Sequence, residues 1–164
     1  MAHKKIKPWS KLQKQIYNLI TKEINFQMHC TVYSFTDKHH TYESPRHWIT
    51  LDKEIIWDFP SNFLKWNHPE VPKPISYMEE MYWEKESAVS TLLRQYIDTP
   101  KGELLTRKFE NDYWGLIDIL RVADRRIGKK QLIKMKNKVT NNDAAMKVLS
   151  KRLIKDNRTD TKNF

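Results

Sequence analysis

Apolar residues along this chain fall first at helical spacing, then at every second position, then at helical spacing again. Trp9, Leu12, Ile16, Leu19 and Ile20 share one side of a helix, which predicts about 11–13 helical residues from Trp9. Thr21 to Glu23 is a polar break. The next run, INFQMHCTVYSF, alternates: Ile24, Phe26, Met28, Cys30 and Val32 point one way, and Asn25, Gln27, His29, Thr31 and Tyr33 the other. Such period-2 patterning predicts a half-buried strand. TDKHHTYESP, residues 36–45, reads as a polar loop ending at Pro45. RHWITL and EIIWDF read as two strands of a hairpin around Asp52-Lys53, a turn without the glycine that tight hairpins prefer. Three prolines within residues 61–74 predict an irregular crossing.

The second half is helical by pattern. Ser76 with Glu79 forms a capping box, and an apolar stripe then runs from Met78 to about Ile97. Its outer face carries Glu79, Glu80, Glu84 and Glu86. Pro100 suits the first position of a further helix, continuing to about residue 108. Tyr113, Leu116, Ile117, Leu120, Ala123 and Ile127 predict a long amphipathic helix over 111–127, capped by Asn111 and closed by Gly128 in a left-handed C-cap. Leu132, Met135 and Val139 predict another, and a T-x-x-D signal at Thr140 and Asp143 opens a last one to about residue 155. The expected fold class is α+β: an N-terminal helix and a three-stranded antiparallel sheet, then a helical half of about five helices. The expected organisation is a single domain over 1–164, with a basic arm at 1–8, an α+β half at 9–74, a helical half at 75–155 and a disordered tail at 156–164.

Charge divides the chain more sharply than hydropathy does. Of a formal net charge of +10, residues 1–22 carry +6, residues 23–100 carry −5 and residues 101–164 carry +9. Both ends are basic, which points toward anionic partners. Cys30 is the single cysteine, so no internal disulfide forms, and its place on the apolar side of a strand makes it a small core residue. No apolar run reaches the length of a membrane span and no signal-peptide block opens the chain, which favours a cytoplasmic protein. With three glycines there is no phosphate-cradling or dinucleotide loop, and no nucleophile-elbow or zinc spacing is present; no cofactor is expected.

The strongest candidate site is the cation cluster Arg121, Arg125, Arg126, Lys129, Lys130 and Lys134. Dense, accessible guanidinium and ammonium groups bind phosphate through counterion release. The competing explanation is dipole compensation and local pairing, since Asp118 lies within reach of Arg121 and Asp124 sits among the arginines. A helix-turn-helix reader over 129–154 would put Thr140, Asn141, Asn142, Lys147 and Lys151 near a groove. His39, His40 and His47 flank a loop and hairpin that also hold Asp37, Glu43, Asp52 and Glu54, an arrangement a metal-dependent hydrolase could use.

WSKL, RHWITLDKEI, YIDTPKGELLTRKFENDYWGLIDILRVADRRIGKK and NNDAAMKVLSKRL together resemble an uncharacterised bacterial family of short conserved proteins. The resemblance covers most of the chain and implies no activity or catalytic residue. The expectation is therefore a non-enzymatic cytoplasmic binding protein whose basic C-terminal third contacts nucleic acid or an acidic protein. A protein-interaction or immunity-type module using a sheet face with Tyr33, Trp48 and Trp57 is the alternative, and a hydrolase the third.

Overall fold

Helix α1, Trp9–Leu19, buries Leu12 and Ile16 on the predicted side and lies along the outer edge of strand β1, Phe26–Thr36. A computed structural model describes the chain over residues 9–36, 41–59, 89–110, 112 and 115–160. An open strand edge offers unpaired backbone groups, and α1 supplies partners for them. Gln13 Nε2 donates to the Met28 carbonyl at 2.7 Å, while the Tyr17 hydroxyl donates to that carbonyl and accepts from the Met28 amide, both at 3.2 Å.

Strands β2, Thr41–Leu51, and β3, Glu54–Phe59, complete an antiparallel sheet of order β1-β2-β3. Phe26 faces Leu51, Met28 faces Ile49, and Ile49 faces Trp57, so one face holds Phe26, Met28, Ile49, Leu51, Trp57 and Phe59, all buried. One expectation needs correction. Residues 36 and 41–45 are strand, not loop: Pro45 pairs with Val32 inside the ladder. Among the described residues β3 pairs with β2 only as far as Phe59 opposite His47, so the described neighbour of Pro45 is β1 alone, a position where proline is tolerated. The hairpin also closes tightly without glycine. Asp52 and Lys53 both take positive φ, 51° and 71°, the requirement of a I′ turn.

The helical half departs further from pattern. Helix α2 is described over 89–97 and ends as expected. Pro100 then caps a single 3₁₀ turn, Lys101–Glu103, and the chain runs irregularly to residue 110 where a helix was expected. The long helix over 111–127 is also shorter: α3 spans Leu116–Ala123. Gly115 precedes it at φ 70°, a left-handed conformation no helix can contain, and the Asp112 carboxylate accepts from the Ile117 amide in the capping role given to Asn111. At the other end Asp124 turns extended and forms an antiparallel bridge with Ile20. Gly128 is no left-handed C-cap; it is extended and serves as N-cap of α4, Lys129–Met135. Helix α5, Asp143–Asp160, is capped by Asn142 rather than Thr140, and passes the expected end near residue 155.

The core is one apolar cluster joining α1, the sheet's inner face, α2, α3, α4 and α5. Leu116, Ile117, Leu120, Ala123 and Ile127 are all buried, as predicted, but so are Ile119 and Val122. Only Asp118 and Arg121 of α3 reach solvent, so the helix is the centre of an α+β protein and not an amphipathic flank. The predicted capping box at Ser76, the acidic face Glu79–Glu86, and residues 1–8 lie outside the described residues.

Candidate anionic-partner surface

The predicted cation cluster divides into two chemically different groups. Arg121 and Arg126 turn inward and hold the irregular 99–109 segment by its carbonyls. Arg121 donates from Nε to Leu104 at 2.7 Å and from Nη2 to Arg107 at 2.7 Å, with Nη1 on Asp118 at 3.2 Å. Arg126 donates to the Thr99 carbonyl and pairs with Asp124, Nη2 to Oδ2, at 2.7 Å. Asp124 has no exposed surface and also accepts from the Tyr96 hydroxyl at 2.7 Å. Burial, and next the Asp124 charge, push the Tyr96 hydroxyl well above its ordinary value, so it is a permanent donor. Hydrogen bonding to Asp124 holds Arg126 more firmly charged.

Arg152 of α5, which the pattern of the sequence did not single out, completes the network. Its guanidinium is buried and donates to the carbonyls of Val122, Asp124 and Ile127, at 3.1, 2.7 and 2.7 Å. Those carbonyls lie at the end of α3 and just beyond, where the helix dipole favours a cation. A lone arginine on the inner side of a helix is the one available signal, and a Leu-rich stripe hides it.

Arg125 does something else. Its Nε donates to the Asn18 carbonyl at 2.7 Å and its amide to Leu19 at 2.8 Å, while the Thr21 amide bonds the Ala123 carbonyl at 2.9 Å. Together with the Ile20–Asp124 bridge, these bonds fasten the end of α1 to the end of α3. Exposed lysines flank this junction on both sides. On the α1 side Lys11, Lys14 and Lys22 are exposed; on the other Lys130 and Lys134 are exposed, one helical turn apart, with Lys129 partly buried beside them. Asp124, in the junction itself, is buried against Arg126, while Glu23, two residues past Thr21, is exposed.

A model of the SF0329 protein family matches residues 8–153. The chain belongs to this family. No curated protein and no solved structure matches the chain. The family's span begins just before α1 and ends within α5, so both sides of the basic junction lie inside it.

The other candidate sites fare differently. Trp48 and Trp57 occupy opposite faces of the sheet, because Trp48 pairs with Asp58 and Trp57 with Ile49. Trp57 is core. Trp48 stacks on His29 with ring centres 4.9 Å apart, and Arg46 lies 4.6 Å over the Trp48 ring while gripping Asp58 through two bonds of 2.7 Å. Burial, and then Arg46, lower the His29 pKa. His47 is on the core face against Trp9, at 2% exposure, and burial alone lowers its pKa to about 4. It stays neutral and inaccessible, unsuited to the hydrolase role. His39 and His40 lie outside the described residues. Among the described residues no three His, Cys, Asp or Glu side chains converge as metal ligands, and no helix is long and apolar enough to cross a membrane. Of the helix-turn-helix set, Asn142 caps α5 and holds the Gly115 carbonyl at 2.9 Å, and Lys151 pairs with Asp52 of the hairpin at 2.7 Å. Both are occupied within the fold.

Proposed function

We propose that the protein is a non-enzymatic binding protein of the bacterial cytoplasm whose joined basic surface contacts the phosphate backbone of nucleic acid. The observation that carries this reading is the Ile20–Asp124 bridge with the Arg125–Asn18 bond, which fastens the end of the lysine-bearing helix α1 to the segment leading into α4, where Lys130 and Lys134 are exposed. Of the named cluster, Lys130 and Lys134 are the contact residues, with Lys129 beside them, and Lys11, Lys14 and Lys22 extend the surface along α1. Arg121, Arg125 and Arg126 position it. Lysine ammonium groups are hydrated point charges, suited to phosphate at any sequence rather than to the edges of particular bases. The occupied Asn142 and Lys151 argue likewise against a base-reading helix.

The test is fluorescence anisotropy with labelled duplex and single strands across a salt series. Binding at low salt that weakens steeply as salt rises, and is lost in Lys130→Glu/Lys134→Glu, is the expected result. Absence of binding at low salt refutes the nucleic-acid reading and leaves an acidic protein as the anionic partner, to be sought by pull-down after nuclease treatment.

A further inference from the structure

An open groove of about 490 Å³ runs between the β2–β3 turn and α5, on a part of the molecule that the basic surface does not use. Its hairpin wall offers Leu51 and Ile56, and its helix wall offers Met146, Ser150 and Ile154. Those three helix residues are spaced i, i+4, i+8 and form one stripe. Ile154 stands 53% exposed, among the most exposed large hydrophobic residues described, and the small Ser150 lies at the middle of the stripe. The rim carries both signs. Asp52 pairs with Lys151 across the groove at 2.7 Å. Glu54 on the hairpin and Lys147 on the helix line the same groove.

We propose that this groove is the contact surface between two copies of the chain, related by a two-fold axis passing near Ser150. A two-fold interface uses the same patch on both partners, so the patch must complement itself. This one does: an apolar stripe lies beside an apolar trough, and an acid and a base stand on opposite walls. With α5 helices crossing antiparallel at Ser150, where the small side chain permits close approach, Met146 of each copy meets Ile154 of the other. Glu54 of each then faces Lys147 of the other. The Asp52–Lys151 pair holds the two walls of each groove at fixed separation. A strongly charged or purely apolar partner would leave one half of this pattern unmatched.

Sedimentation equilibrium of the full chain from low micromolar to millimolar concentration is the first experiment. The expected result is a monomer–dimer equilibrium, in which Ile154→Glu raises the dissociation constant roughly tenfold or more without changing the far-UV circular dichroism. A monomer at every concentration, or a dimer indifferent to Ile154→Glu, overturns the proposal. Ser150→Cys in a Cys30→Ser background then reads the axis directly. Mild oxidation yields a covalent dimer if two Ser150 positions meet, and a dimer that fails to cross-link refutes the two-fold arrangement.

Discussion

Replacing Asp124 by asparagine keeps the shape of the side chain at the centre of the arginine network and removes its charge. Asp124 accepts from the Tyr96 hydroxyl at 2.7 Å, from Arg126 Nη2 at 2.7 Å and from the Arg126 amide at 2.9 Å, and Arg126 Nε lies 3.0 and 3.2 Å from its two oxygens. Asparagine offers one acceptor oxygen and an NH₂ group, so one side of the amide turns donors toward donors. Removing one member of a buried ion pair costs about 3–5 kcal/mol, because the remaining charge stays desolvated. The Arg126 side chain is 18% exposed, so water recovers part of its solvation and the lower end of the range applies. Asp124→Asn should therefore cost about 3 kcal/mol, or a fall in melting midpoint of roughly 6–12 °C for a chain of this size. Urea unfolding followed by tryptophan fluorescence measures the first quantity and thermal circular dichroism the second. A loss below about 1 kcal/mol would refute the account of the Asp124 carboxylate as the fastening of α3 to α2.

Three further outcomes follow from particular residues. His47 is neutral in the fold, with its pKa lowered by burial from 6.5 to about 4, whereas the unfolded chain takes up its proton below pH 6.5. Stability from this site is thus complete above pH 6.5 and drains as pH falls toward 4, by about 3 kcal/mol in all; His47→Phe should flatten that part of the stability–pH curve measured by urea titration. Gly115→Ala places a methyl group into the Asn142 side chain at φ 70°, and should destabilise by about 2 kcal/mol or more, detected by thermal denaturation. Lys53→Gly, by contrast, relieves a positive φ of 71° and should stabilise by about 1 kcal/mol, since aspartate–glycine is the residue pair this turn favours.

The sheet was largely legible because its chemistry is local. Alternation placed Ile24, Phe26 and Met28 in the core, where they are buried, although Cys30, expected there too, is half-buried; EIIWDF coincides with β3 residue for residue. The limits of β2 were not legible, because proline reads as a loop unless one knows that Pro45 pairs with Val32 of β1. The helical half was less readable for the same kind of reason. Gly115 looks like one tolerated glycine in a good stripe, yet it takes the left-handed conformation that lets Asn142 reach its carbonyl. Asp124 reads as a helical residue at the edge of a stripe, yet a bridge to Ile20, over a hundred positions earlier, draws it out of the helix. The cluster of cations was legible as charge and not as geometry. Local pairing of Arg121 with Asp118 could be read from spacing, but the carbonyls of Leu104, Arg107, Thr99 and Asn18 that hold the arginines could not. Arg125 is exposed but bonded to Asn18, and the candidate contacts that remain outward are Lys130 and Lys134.

The proposed division between arginines that fold and lysines that bind is tested most directly by one comparison on Lys130→Glu/Lys134→Glu. Its melting midpoint and its salt-dependent affinity for a generic DNA duplex are measured beside those of the unaltered chain. The account predicts an unchanged midpoint, with binding lost at low salt and the steep salt dependence gone. A variant that unfolds early, or that binds duplex as the unaltered chain does, would contradict it.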